Sequence, residues 1–314
     1  MRNRVLMTAL ALAMASTSVQ AANIASLSGG GLWSAGTTWN GGIVPGETPA
    51  VADVARILYP ATVTLNYTPT YALGNVQIGR NTTGLVGSLD VTTGGVLNIV
   101  SGSNLEVGSQ PAGTLLLSGG TINAASAVTI SGTFGTSAGS LATVNSGNLN
   151  VGTALAVGKF ASGTLTINGG SVKANTMAVG FGAAGVGTNS FVNLLGGGLE
   201  LVAGTLTFNT VGSTLTIAND ATLTLGGDRT TAIAGFAGGN LLWATGSSLL
   251  GGSYGTGDQT FDNGAGSYLH SFFDSGAAKT YVWVDTVAVP EPAAMSLVLL
   301  GGLGLLVGRR MKRS

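Results

Sequence analysis

The sequence predicts an all-β protein, a parallel β-helix of about 25 residues per coil, followed by a single C-terminal transmembrane helix. Three observations lead to this prediction. Glycine supplies 53 of the 314 residues and only 8% are charged, which is typical of short strands and tight turns. A block of about 25 residues recurs through the middle of the chain. An uncharged segment near the C-terminus ends in a basic cluster.

Residues 1–22 have the three parts of a secretory signal peptide. Two arginines near the start precede an 11-residue apolar run at positions 5–15. The small residues that follow predict cleavage at Ala21 and Ala22. The alternative is a short anchor helix, but so short a run cannot span about 30 Å of hydrocarbon. We therefore expect export through the Sec translocon.

Residues 23–60 are predicted to form an N-terminal cap. This segment contains Trp33 and Trp39, then a Val-Pro-Gly sequence at 44–46, and Asp53. A solenoid has open ends that expose unpaired strand edges, so its terminal units normally differ from the repeats. The two large indoles are suited to closing such an end.

Residues 61–235 are predicted to be the β-solenoid repeats. Each block starts with a small residue, then Ser or Thr, then a large apolar residue, and ends near a Gly-Gly pair. The starts are 26, 26, 24 and 26 residues apart, at Gly87, Gly113, Gly139, Gly163 and Asn189. A second apolar residue followed by Gly or Ser recurs inside each window. Such a fixed period indicates a repeat architecture.

Apolar and polar residues alternate inside the blocks, as in a half-buried strand. Leu165 and Ile167, for example, are interleaved with threonines. The alternation is imperfect near Leu141 and Phe191, which leaves the register there open. The 268 residues of 22–289 would form about ten coils. An antiparallel sandwich is the alternative fold, and the period favours the solenoid.

Residues 236–288 are predicted to be an aromatic-rich C-terminal β region. One interpretation is that the rings pack as a cap. The other is that flat rings stack on sugars. On the second interpretation, the possible glycan-contact residues are Trp243, Tyr268, Tyr281 and Trp283.

The body of the chain offers little for catalysis. Residues 22–289 contain six basic and 11 acidic residues, a formal charge of −5, without the basic stripe that nucleic-acid binding requires. The chain has no Cys and a single His, so thiolate and His-rich metal sites are excluded. The acidic candidates have a simpler interpretation as turn residues, at Asp220, Asp228, Asp258 and Asp262. We expect no catalytic residue, no metal, no cofactor and no nucleic-acid partner.

Residues 289–314 form a tripartite C-terminal segment. It begins with Val289, Pro290, Glu291 and Pro292, continues as an uncharged run at 293–308, and ends with the basic residues Arg309, Arg310, Lys312 and Arg313. Sixteen helical residues reach about 24 Å, a shortfall that snorkelling arginines and local thinning can close. The basic end places the C-terminus in the cytoplasm and the body outside.

This order of parts resembles the PEP-CTERM sorting signal of exopolysaccharide-producing Gram-negative bacteria. The alternative is a plain C-terminal anchor with an incidental Pro-Glu-Pro. The resemblance implies recognition by an exosortase, with cleavage near Pro290–Pro292. It also implies a transient inner-membrane anchor with a periplasmic body, and a final location at the cell surface or in the extracellular matrix. The body resembles the Gly-rich β-solenoid passengers of autotransporter-type adhesins and the pectin-lyase-like fold.

These features together lead us to expect an exported, surface-sorted structural or adhesive protein. Its partner would be the extracellular polysaccharide of a biofilm or floc, and it would be non-catalytic. The alternative is a polysaccharide lyase or hydrolase on the same β-helix. A third possibility is a passive spacer that only thickens the surface.

Overall fold

The structure is a computed structural model. It describes residues 21–48, 52–58, 60–80, 86–110, 112–131, 139–180, 189–210, 212–243, 259–262 and 267–286. Nearly all of the predicted signal peptide and the whole predicted sorting segment lie outside the described residues. Among the described residues, no helix is both long enough and apolar enough to span a membrane.

Strands dominate the described part of the chain. They are β1 (Asn23–Ala25), β2 (Gly31–Leu32), β3 (Val54–Ile57), β4 (Thr62–Leu65), β5 (Val76–Ile78), β6 (Gly87–Thr92), β7 (Val96–Ile99), β8 (Leu105–Val107), β9 (Gly113–Ala124), β10 (Val128–Ile130), β11 (Ser140–Val151), β12 (Ala154–Val157), β13 (Gly163–Ile167), β14 (Ser171–Val179), β15 (Phe191–Phe208), β16 (Thr214–Gly226), β17 (Leu241–Trp243), β18 (Gln259–Asp262), β19 (Ser267–Asp274) and β20 (Lys279–Thr286). The α-helix α1 is Thr230–Phe236, and two 3-10 turns are Gly36–Thr38 and Asn40–Gly42.

The predicted parallel β-solenoid is confirmed. Its coils have three faces, each a ladder of parallel strands. Face A contains β2, β4, β6, β13 and β17 with the first parts of β9, β11, β15 and β16. Face B contains β7, the first part of β14, the middle of β15 and the later parts of β9, β11 and β16. Face C contains β1, β3, β5, β8, β10, β12 and the ends of β14 and β15.

About six turns of about 26 residues each are complete, with a strand on all three faces. The period expected from the sequence therefore holds, but the expected number of about ten coils exceeds the number of complete turns, because the ladder of face A continues into partial coils at both ends. The difference lies at the two ends. At the N-terminal end, two 3-10 turns at residues 36–42 take the place of a strand, and the last strands, β18 to β20, pair antiparallel.

Stacked aliphatic side chains fill the interior. On face A, one inward column runs across successive coils and is 0–1% exposed throughout; it consists of Val63, Leu89, Leu115, Ala142, Leu165, Val192, Leu215 and Leu241. Burying a side chain of this size stabilises the fold by about 1.5–3 kcal/mol. Such columns hold the coils together without any disulfide.

The register near Leu141 and Phe191 differs from the simple block alignment. Ser140, not Gly139, occupies the buried strand-start position that Gly163 fills in the next coil. Leu141 therefore points outward and is 45% exposed, and Phe191 is likewise 39% exposed. The imperfect alternation in the sequence is a one-residue offset, because a buried serine takes the place of glycine.

A left-handed corner joins face C to face A in five successive coils. Its backbone φ angles lie between 66° and 79°, at Gly79, Gly108, Ser131, Gly158 and Gly180. These are the recurrent apolar-Gly or apolar-Ser marks of the sequence. Glycine adopts this conformation without the Cβ clash that other residues meet.

Two tryptophans are buried at the N-terminal end of the solenoid. The rings of Trp33 and Trp39 meet edge to face with centroids 4.9 Å apart. Trp33 Nε1 donates to the carbonyl of Pro45 at 3.0 Å, and Trp39 Nε1 donates to the carbonyl of Trp33 at 2.7 Å. Both indole N–H groups therefore keep a partner although the rings are 0–1% exposed.

The C-terminal end changes direction. After α1 and β17, the strand β20 runs antiparallel to the end of β16, and β19 and β18 continue that sheet. Trp243 packs partly buried against the core, and its Nε1 donates to the carbonyl of Ser267 at 3.1 Å. The antiparallel sheet thus covers one end of face B.

Candidate functional site: an amide-lined groove

A groove lies along the corner that follows face B. Its volume is about 500 Å³, and it crosses five coils. Its lining residues are Asn98, Ile99, Asn123, Ala124, Ala125, Asn150, Val151, Gly152, Lys173, Asn175 and Val202.

Three stacked asparagines form one wall of the groove. Asn98, Asn123 and Asn150 occupy equivalent outward positions on neighbouring strands. Asn123 Nδ2 donates to Asn98 Oδ1 at 2.9 Å, and Asn150 Nδ2 donates to Asn123 Oδ1 at 2.8 Å. In each strand the residue before the asparagine points into the core, so the alternation of side chains turns the asparagine outward. We call this wall the amide ladder.

The amide ladder keeps hydrogen-bonding capacity. A primary amide has two N–H donors and an oxygen with two lone pairs. Within the ladder, Asn123 donates once and accepts once. One N–H and one lone pair of that amide therefore remain beyond the ladder contacts. A hydroxyl group, which both donates and accepts, is suited to such a pair.

A charged cluster continues the amide ladder. Lys173 is the residue opposite Asn150 on the next strand, and Glu200 is opposite Lys173. Lys173 Nζ lies 3.2 Å from Glu200 Oε2, and Lys279 Nζ lies 2.8 Å from Glu200 Oε1. The hydrogen bond from Lys279 is the main reason that the pKa of Glu200 is lowered, against an opposing effect of burial. The same bond raises the pKa of Lys279.

Small residues keep the groove open at the corner. Ala125 and Gly152 occupy successive coils there, and a Cβ on Gly152 would collide with the carbonyl of Ala125. Further along, Asn175 is exposed and Val202 is 49% exposed. The groove therefore has a polar wall and a shallow, partly apolar floor.

The dimensions suit an extended chain molecule. Stacked strands are about 4.8 Å apart, so five coils give a groove about 19 Å long. That rise per coil is close to the length of one sugar residue in an extended polysaccharide. None of the described lining residues is an acid or a histidine. The groove therefore offers binding groups and no acid–base pair.

The outer face of the C-terminal sheet brings three of the predicted glycan-contact residues together. Tyr268, Tyr281 and Trp283 lie on this face, beside His270, whose ring stacks on Trp283 with centroids 5.2 Å apart. The two tyrosines are half-buried, and Trp283 is only 3% exposed. Trp243 is not part of this group, because it packs against the core. Glycan contact at these residues stays a prediction.

His270 links the three strands of that sheet. Its Nδ1 lies 3.0 Å from Thr260 Oγ1 on β18, and its Nε2 lies 3.5 Å from Asp285 Oδ2 on β20. Trp283 Nε1 also donates to Asp285 Oδ2 at 3.3 Å. These contacts connect the neighbouring strands and give His270 a structural role in the sheet.

The acidic candidates are distributed over separate elements. Asp228 accepts from the backbone N–H and the hydroxyl of Thr230 at 3.1 and 2.8 Å, and these bonds lower its pKa. It is the turn residue that the sequence predicted. Asp220 lies on β16 and Asp262 on β18, while Asp258 is outside the described residues. Within the described ranges, no group of three His, Cys, Asp or Glu side chains could hold a metal ion.

The predicted address residues are mostly outside the described part. This applies to the sorting motif Val289, Pro290, Glu291 and Pro292, and to the basic residues Arg309, Arg310, Lys312 and Arg313. Ala21 and Ala22 directly precede β1, and the Ala22 N–H donates to Asp53 Oδ1 at 3.2 Å.

The groove was not predicted from the sequence. The available signal was an asparagine at one outward strand position in three successive coils, Asn98, Asn123 and Asn150.

Comparison with known proteins found no relative of this chain: no family model matches it, and no curated protein or solved structure matches it.

Proposed function

We propose that this protein is an exported, surface-sorted adhesive protein of an extracellular polysaccharide matrix, and that it holds polysaccharide without cleaving it. The amide-lined groove is the observation that supports this function most directly. It is long, open, lined by amides, and repeats at about the spacing of sugar residues.

The proposed address rests on the two ends of the sequence. The first 22 residues have the pattern of a signal peptide. The last 26 residues resemble a PEP-CTERM signal, so we infer an exosortase as processing partner and the inner membrane as a transient anchor. The β-solenoid body is consistent with a protein of the cell exterior that has no disulfide to stabilise it.

The groove favours binding over cleavage for a chemical reason. Glycoside hydrolysis commonly uses two carboxyl groups on either side of the scissile bond. The described residues lining this groove supply amides, one lysine and small apolar side chains. Glu200, the nearest acid along the same row of strand positions, is held by Lys173 and Lys279.

The test combines retention and turnover in one assay. Purified full-length protein is mixed with matrix polysaccharide, and bound protein and soluble sugar fragments are measured together. We expect saturable retention without fragments. Fragments that an inactivated preparation does not release would make the protein an enzyme and contradict the proposal. Absence of both retention and fragments would contradict the adhesive function and favour the interpretation of the protein as a passive spacer.

Groove-filling variants test the location of binding. Ala125→Trp and Asn175→Trp each place a large ring at an exposed position in the groove. Leu141→Trp places the same ring at an exposed position on face A and is the matched control. We expect the two groove variants to lose retention at least about tenfold and the control to keep it. Equal retention of all three folded variants would exclude the groove as the site.

A further inference from the structure

A pair of arginines lies on face C, near the N-terminal end of the solenoid. Arg56 on β3 is opposite Gln77 on β5, which is opposite Glu106 on β8. Arg80 follows the left-handed corner that ends β5. The three strands therefore place two guanidinium groups beside one amide.

Both guanidinium groups share a single acceptor. Arg56 Nε donates to Gln77 Oε1 at 3.1 Å, and Arg80 Nη1 donates to the same oxygen at 2.6 Å. Gln77 is only 5% exposed, and its Nε2 donates to Glu106 Oε2 at 3.1 Å. The amide is thus fixed in place, and it holds the two cations close together.

Neither guanidinium group forms an ion pair with a described residue. The ion pairs of the described ranges all involve Glu200 or Asp285. Glu106, the acid of this network, accepts instead from Gln77 and from Ser109 Oγ at 2.9 Å. A guanidinium has five N–H donors, and the described residues accept one from each arginine. The remaining donors have no acceptor among the described groups.

The repulsion between the two guanidinium groups favours binding of an anion between them. Burial and, secondarily, the charge of Arg80 lower the pKa of Arg56, so the two cations repel each other. A carboxylate presents two oxygens in a plane that matches the fork of a guanidinium. Placed between two guanidinium groups, one carboxylate would relieve the repulsion and accept from both.

We propose that Arg56 and Arg80 bind a carboxylate group of an acidic polysaccharide, one built from uronic acids. This inference rests on the proposed matrix function and adds a preference for charge to it. The site is separate from the amide-lined groove, which lies on the opposite corner of face C and presents neutral amides at this end. The protein would therefore prefer a carboxylated polymer to a neutral polymer of the same backbone.

The experiment measures affinity of full-length protein for polygalacturonate and for the neutral galactan made from it by reducing its carboxyl groups to alcohols, which has the same backbone. We expect tighter binding of the acidic polymer, and a loss of about tenfold or more in Arg56→Gln/Arg80→Gln, because charge-assisted hydrogen bonds are removed. Lys159→Gln removes the same kind of charge three coils along the same corner, about 14 Å away, and should leave the affinity unchanged.

A milder variant covers the case in which the double variant does not fold. Arg80→Gln alone keeps the contact of Arg56 with Gln77 and should lower affinity for polygalacturonate several-fold. Its circular dichroism spectrum checks that the β-solenoid is intact.

Three other outcomes would each overturn part of this proposal. If polygalacturonate binds equally well to wild type and to the folded arginine variants, the arginine site is wrong while the matrix function stands. If polygalacturonate is not retained at all, the arginine site is also wrong, and retention of galactan alone then decides the matrix function. A sulfated polymer retained in preference to polygalacturonate would overturn the carboxylate assignment.

Discussion

At the residue scale, one small-residue rule governs the corner between faces C and A. Each corner has room for one side chain, either at the left-handed position or at the buried strand start of a later coil. Ser131 faces Gly163, whereas Gly158 faces Ser190. The serine at the strand start is fully buried, and its Oγ accepts from the N–H of the preceding coil's Gly163 at 3.3 Å. In the sequence, both positions of each corner are simply small residues. The sequence therefore did not predict whether the left-handed residue or the strand-start residue of the later coil has the side chain.

This rule predicts the cost of alanine at Gly158. Gly158→Ala adds a Cβ that would overlap Ser190 Oγ, at a backbone φ of 79°. Gly102 has a similar φ of 82° but open space around it, so Gly102→Ala is the matched control. We expect about 1 kcal/mol of destabilisation for Gly102→Ala, from backbone strain alone, and at least about 2 kcal/mol more for Gly158→Ala. Chemical denaturation of the two variants measures the difference.

A second substitution tests the cause. In a Ser190→Gly background the overlap with Ser190 is removed and a 3.2 Å contact with the carbonyl oxygen of Ala161 remains, so Gly158→Ala should then cost little more than Gly102→Ala. An unchanged cost in that background would show that the Ser190 side chain is not what excludes a Cβ at position 158.

At the element scale, the alternation within strands was predictable and the strand register was only partly so. Leu165 and Ile167 point inward with their neighbours outward, as the sequence predicted. Near Leu141 the alignment by glycine was off by one, because Ser140 takes the glycine position. The amide ladder was missed for a related reason. An outward asparagine has no apolar periodicity of its own, and only the coil register shows that three asparagines are stacked.

The amide ladder makes a graded prediction. Asn123→Ala removes two ladder hydrogen bonds, and Asn98→Ala removes one. At about 0.5–1.5 kcal/mol for each bond, Asn123→Ala should destabilise the protein about twice as much as Asn98→Ala. Thermal and denaturant unfolding of the two variants compare the costs. Equal costs would mean that the ladder bonds contribute little to stability and that the asparagines serve binding alone.

At the scale of the whole molecule, the sequence predicted the solenoid and its period but overestimated the number of coils. Length alone could not show that the last strands turn antiparallel. Antiparallel and parallel strands have the same alternation, and pairing partners depend on contacts between distant residues. In the structure, Glu200 joins the two regions, because Lys173 belongs to the solenoid and Lys279 to the C-terminal sheet.

The junction at Glu200 should depend on pH. The folded state lowers the pKa of this carboxyl below the ordinary value of 4.5, so its contribution is present above that pH and is lost as the pH falls through the folded value. We expect Glu200→Gln to lower the free energy of unfolding by about 0.5–1 kcal/mol at pH 7, and by less at pH 3. Urea unfolding at both pH values tests this.

The lysine partner supplies the control for that experiment. In a Lys279→Gln background the main hydrogen bond to Glu200 is already absent, so Glu200→Gln should cost less at pH 7. A cost that is equal at pH 7 and pH 3 in the otherwise wild-type chain, or a cost at pH 7 that the Lys279→Gln background does not reduce, would contradict the proposed role of the ion pairs.

The central claim is that an extended polysaccharide lies along the amide-lined groove across several coils. The measurement that tests it most directly is the affinity of full-length protein for neutral oligosaccharides of increasing length from a polysaccharide that the protein retains. With about 4.8 Å for each coil, affinity should rise with each added sugar up to about four or five units and then level off. The groove-filling Ala125→Trp variant should abolish that rise. A monosaccharide that binds as tightly as the longest oligosaccharide would contradict the account.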